Sequence, residues 1–170
     1  MSFRIAALLV FLTLLSTSTM AAESHFRGVT CKSDVAKQLL GRQVLNDRPA
    51  AIEAMHRDLS LESLGSVGVE AAGDPWTMST WLICGREYLF LEKKGVIKDI
   101  LASPYPAGEP QSEVSPCVID GRPEPSSLVW FSLDQSKEKS KLANQAWAID
   151  DKKVKFIKLQ AKSIQCESTR

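Results

Sequence analysis

Four cysteines, Cys31, Cys84, Cys117 and Cys166, restrict the fold of this chain more than any other feature. An even number, widely spread, reads as two disulfides when the chain folds in an oxidising compartment. The nearest two are 33 residues apart and no Cys-x-x-Cys occurs. Zinc ligands arrive in close pairs, so no metal site is expected from them. Four cysteines allow three pairings. The reading favoured here is Cys84–Cys117 closing a central loop and Cys31–Cys166 joining the two ends.

The compartment itself is legible at the start of the chain. Arg4 supplies a positive charge, residues 5–15 form an apolar run, and Ser16-Thr17-Ser18-Thr19-Met20-Ala21-Ala22 supplies small residues for cleavage. That order is the signature of a secretory signal peptide. An eleven-residue run at about 1.5 Å per residue covers only about half of a ~30 Å hydrocarbon core, so a membrane anchor is disfavoured. The expectation is a signal peptide over 1–22 and a single disulfide-stabilised domain over 23–170, located in a periplasm or secreted. No second long apolar run follows, so the mature chain has no expected membrane span. No cysteine stands at the cleavage point to carry a lipid.

Charge narrows the partners. The 170 residues carry 21 Lys+Arg against 20 Asp+Glu, and removing Arg4 with the leader leaves 20 against 20. Nucleic-acid binding rests on a clear cationic excess, and none is present.

The pattern along the domain is mostly of strands. Residues 33–41 offer a capping Ser33, an early acid, Val35 and Leu39 four apart, and a terminating Gly41, which together predict a short N-terminal helix. Residues 50–57 fit both periods, and a strand is favoured, followed by a helical turn through Leu64. From Pro75, apolar alternation predicts strands over 76–84, 87–92 and 96–101, joined by tight turns at Gly85-Arg86 and Lys93-Lys94-Gly95. A second block predicts strands over 117–120, 127–133, 142–149 and 154–159. The expected fold is α+β, mainly β: an antiparallel meander of seven or eight strands forming a curled sheet or small sandwich, with the short N-terminal helix. Trp76, Trp81, Trp130 and Trp147 lie on these strands and are expected in the core.

Residues 102–127 hold six of the eight prolines. Proline cannot donate to a sheet ladder and favours extended backbone, so the stretch before Cys117 is predicted to be an exposed loop. A plain connection between two halves of a sheet is the simpler reading. Long loops are also preferred carriers of function, and Pro104, Tyr105, Pro106, Glu109 and Pro110 are the candidate partner-binding residues. An aromatic held between two stiff residues loses little entropy on insertion into a partner.

Catalytic signatures are sparse. The two histidines are His25, expected in a frayed N-terminal region, and His56, the one candidate base. No Gly-x-Ser-x-Gly elbow, His-Glu-x-x-His pair or Asp-rich calcium loop occurs, and no cofactor-binding motif is found. His56-Arg57-Asp58-Leu59 copies the opening of a protein-kinase catalytic loop, but Ser63 stands where that loop needs its metal-binding asparagine. Glu87, Glu92, Asp99 and Asp120 are expected as solvated strand residues. The lysines of 152–162 are expected to protect an outer strand from edge pairing. The functional expectation is a non-catalytic exported binding protein, an inhibitor or immunity protein directed at an exported enzyme. The alternatives are a small hydrolase using His56 and an envelope or small-ligand-binding module.

Overall fold

Alternating apolar residues separated by two-residue turns build the first sheet. The computed structural model describes residues 24–44, 48–69, 75–106, 109–124 and 126–168. In it, β1 (Glu62–Val69), β2 (Trp76–Ile83), β3 (Arg86–Lys93) and β4 (Val96–Ala102) lie side by side in chain order, all antiparallel. The turns are Cys84-Gly85 and Lys94-Gly95, with φ of 54°, 75°, 54° and 70°. Ile83 pairs with Arg86 and Lys93 with Val96, so each is a two-residue hairpin with both central residues left-handed. That turn type matches the strand twist, and a glycine in second place takes it without steric cost.

Two further four-stranded sheets follow. The second is built from β5 (Glu113–Ser115), β8 (Leu128–Phe131), β10 (Gln145–Asp150) and β11 (Lys155–Lys158), in the order β11-β10-β8-β5. The third is built from β6 (Cys117–Ile119), β7 (Arg122–Pro123), β9 (Ser140–Leu142) and β12 (Ile164–Glu167), in the order β7-β6-β12-β9. All of their pairings are antiparallel.

The sheets stack, which explains why two strands are apolar without alternation. In β3, Tyr88 and Phe90 pack with Phe26, Val35, Leu39, Ile52 and Leu59, beneath the helical layer. Leu89 and Leu91, on the opposite face, pack with Val129, Phe131 and Trp147 of the second sheet. In β8, Val129 and Phe131 thus face the first sheet, while Leu128 and Trp130 pack with Cys117, Ile164 and Cys166 of the third. A strand covered on both faces must be apolar at every position, as in Tyr-Leu-Phe-Leu and Leu-Val-Trp-Phe. All four tryptophans are buried.

The helical layer contains α1 (Val35–Leu39) and α2 (Pro49–Met55). Asp34, not Ser33, caps α1, accepting from the Lys37 N–H at 3.1 Å. The strand expected over 50–57 is instead α2; the helical turn expected after it is present as a 3-10 turn over Arg57–Leu59 but does not reach Leu64, because β1 begins at Glu62. Pro49 at the first helical position favours the helix, and only Ile52 is buried while Met55 is 56% exposed. An alternating strand would bury every second side chain on one face, whereas here Ile52 alone is buried, as on a short helix with one covered face. The extended reach of the proline-rich loop also needs correction, since residues 113–115 are edge strand β5. The strand expected over 142–149 is two, β9 and β10, and β12 closes the third sheet. His25 is not frayed: it is 4% exposed, with its ring 6.2 Å from that of Trp81.

Both disulfides form, but with the pairing Cys31–Cys84 and Cys117–Cys166. The β2–β3 turn carries Cys84 to the N-terminal layer, and Cys166 is the direct ladder partner of Cys117 with Cα atoms 4.1 Å apart. Neither proximity is visible in the spacing. The leader expected over 1–22 lies outside the described residues. Among the described residues, no helix is long and apolar enough to cross a membrane.

Candidate functional site

The loop between β4 and β5 is clamped at both ends by one buried residue. Glu87 sits at the start of β3 and is 1% exposed. The Ser112 N–H donates to its Oε2 at 2.9 Å and the Ser112 hydroxyl to its Oε1 at 2.6 Å. At the other end, the Ser103 N–H donates to the Glu87 backbone carbonyl at 2.8 Å. The Tyr105 N–H then donates to the Ser103 hydroxyl at 3.1 Å. Hydrogen bonds to a buried carboxylate are among the stronger ones, so this clamp fixes the loop's exit and entry together.

Tyr105 is half-buried and its ring lies 5.9 Å from that of Phe131, where it packs against the core between the first two sheets. It therefore anchors the loop from within. Pro104, Pro106 and Glu109 are exposed and Pro110 is half-buried, after a cis Glu109–Pro110 peptide.

A cavity opens on each side of the loop. On one side, Pro106 borders a space of about 600 Å³ with Asp34, Arg86 and Tyr88 around an apolar floor that includes Val35 and Ile83, beside the Cys31–Cys84 disulfide. Burial pushes the Tyr88 hydroxyl above its usual range, opposed by Arg86. On the other side, Glu109 and Pro110 border a space of about 340 Å³ with Glu113, Asp134 and Lys141. The loop is thus a partition carrying candidate residues from the sequence, flanked by residues the sequence did not single out. Lys141 and Asp134 carried no motif, and Glu87's only signal was an acid opening an otherwise apolar run.

The other acids hold hydrogen bonds: Glu92 and Asp99 are half-buried rather than solvated, and Asp120 is exposed as expected. Asp99 accepts from the Phe156 N–H at 2.8 Å and Asp120 from the Ser163 N–H at 2.9 Å, tying distant segments together. Glu92 accepts from the Ser79 hydroxyl. Burial pushes the Glu92 carboxyl above its usual range, opposed by that bond. A raised pKa means the fold favours the protonated acid. Its contribution is largest below the unfolded value, near about 4.3, and is lost as pH rises through the folded one. Glu92→Gln is therefore expected to raise the melting temperature at pH 7, with the gap closing near pH 4. Thermal melts across that range check this, and a gap independent of pH contradicts it.

His56 ends α2, half-buried, with its ring 6.1 Å from that of Phe26. Its Nε2 is buried without a hydrogen-bond partner. A general base needs an orienting acid and a nearby nucleophile, and no such hydrogen bonds are made to its ring. Among the described residues, no group of three or more His, Cys, Asp or Glu is placed to hold a metal ion.

No family model, curated protein or solved structure matches the chain.

Proposed function

We propose that this chain is a non-catalytic binding protein, exported to a periplasm or the cell exterior, whose 104–110 loop docks on a protein partner as an inhibitor or immunity protein does. The observation that carries this reading is the Glu87 clamp. The clamp fixes Ser103 and Ser112, which flank this stretch, so Pro104, Pro106 and Glu109 are presented from fixed ends, and preorganisation of this kind raises affinity by cutting the entropic cost of association. Two disulfides are compatible with folding in an oxidising compartment, where such partners are encountered.

The test is capture of exported enzymes by the mature protein, followed by assay of each captured enzyme with and without it. Wild type is expected to inhibit at least one captured enzyme. Replacing Pro104, Pro106 and Glu109 by Gly, Gly and Ala is expected to weaken binding about tenfold or more. Glu87→Gln leaves every exposed loop residue in place and is expected to weaken binding as well, because one carbonyl cannot replace the carboxylate for Ser112. Full activity of every captured enzyme, or equal binding by the loop variant, overturns the proposal.

A further inference from the structure

The two disulfides differ in what can reach them. Cys117 and Cys166 are 4% and 1% exposed and join β6 to β12, packed with Leu128, Trp130 and Ile164. Cys31 is exposed and Cys84 half-buried, and both border the 600 Å³ cavity beside Pro106. A thiol can therefore approach the first bond in the folded protein, whereas the second is reached only when the sheets part.

The surroundings of the two accessible sulfurs are unequal. Cys31 Sγ lies 3.9 Å from the Asp58 carbonyl oxygen, whose partial negative charge opposes an anion on that sulfur. Cys84 stands in the β2–β3 turn two residues before Arg86, and both border the cavity. Arg86 and Tyr88 are two apart on β3 and so share the sheet face that carries the helical layer. Arg86 opposes the effect of burial on the Tyr88 hydroxyl, which requires the guanidinium to lie near it. The other ionisable group of the lining, Asp34, accepts from the Lys37 N–H at the start of α1. A cation beside a sulfur favours the thiolate, and a disulfide breaks faster toward the sulfur that carries negative charge more easily.

We propose that Cys31–Cys84 is a thiol–disulfide exchange site for an exported dithiol, with Cys31 the sulfur attacked and Cys84 the leaving thiolate. A thiolate of the dithiol bonds to Cys31 Sγ as the Cys31–Cys84 bond breaks, and the electron pair departs on Cys84 beside Arg86. The second thiol of the reagent then attacks the reagent's own sulfur in the mixed disulfide and releases Cys31. The protein gains two electrons and the two protons of the dithiol, and the dithiol is oxidised to its disulfide. Cys117–Cys166 stays closed, so exchange releases one tie of the N-terminal layer and keeps the third sheet joined. This inference does not depend on a protein partner at the 104–110 loop.

Timed reduction of the mature protein, quenched with iodoacetamide and read by peptide mapping, tests it. With dithiothreitol, Cys31 and Cys84 are expected to become alkylated at least about tenfold faster than Cys117 and Cys166. Glutathione has no second thiol, so its mixed disulfide persists once iodoacetamide has capped the departing thiolate; glutathione is expected on Cys31 and the alkyl group on Cys84. Arg86→Gln, at an exposed position, is expected to slow opening at least about threefold, and Arg86→Lys, which keeps the charge, to restore the rate. Should Arg86→Gln fold poorly, the wild-type map still decides which bond opens and which sulfur is attacked. Equal opening of the two disulfides, as global unfolding gives, glutathione on Cys84, or a folded Arg86→Gln variant that opens as fast as wild type overturns the proposal.

Discussion

Trp130→Ala is expected to cost about 3–5 kcal/mol, the range for deleting a buried large aromatic side chain. Trp130 is fully buried and fills the space between the second and third sheets, against Cys117, Ile164 and Cys166. Its Nε1–H donates to the Ser115 hydroxyl at 2.9 Å, and Ser115 is itself buried. Alanine leaves both a cavity and an orphaned hydroxyl on β5, the strand that follows the candidate loop. Trp130→Phe refills much of the cavity but not the hydrogen bond, so an intermediate loss is expected. Urea unfolding of both variants measures this. A loss below about 1 kcal/mol for alanine would mean that the third sheet does not pack on β8 as described.

Removing the Cys31–Cys84 disulfide by double serine substitution is expected to cost about 4 kcal/mol, from the loop-closure entropy of a bond with sequence separation 53. The Cys117–Cys166 bond, with separation 49, is expected to contribute a similar amount. The two loops do not overlap in sequence, so their effects on the unfolded chain should add. Nested pairing of Cys84 with Cys117 inside Cys31–Cys166 would make the two losses interdependent. Urea unfolding of the two double variants and their combination tests additivity, and peptide mapping without reductant reads the pairing directly. Recovery of a peptide linking Cys84 to Cys117 would contradict the structure.

Local patterning carried much of the fold. The 76–101 meander was legible because alternation, two turn glycines and strand length agree over consecutive residues. The short helix at 35–39 was legible from Val35 and Leu39 four apart and the terminating Gly41, although Asp34 rather than Ser33 is its cap. Residues 50–57 were not, since helix and strand bury the same few apolar side chains there and only the covered face decides between them. The same limit applied to the candidate site. Prolines marked the 104–110 loop, but nothing local showed that Tyr105 turns inward or that Glu87 holds Ser112, 25 residues away.

The sequence by itself determined that the chain is rich in antiparallel strands, carries cysteines suited to disulfides, and has a stiff segment between its two strand-rich blocks. These are properties of composition and of neighbours a few residues apart, where backbone sterics and side-chain period act directly. Only the tertiary structure decided which cysteines meet, which apolar strands are covered on both faces, and that the buried Glu87 holds Ser112. Those outcomes depend on how whole sheets stack, a choice made by total buried area and hydrogen-bond satisfaction rather than by any local pattern.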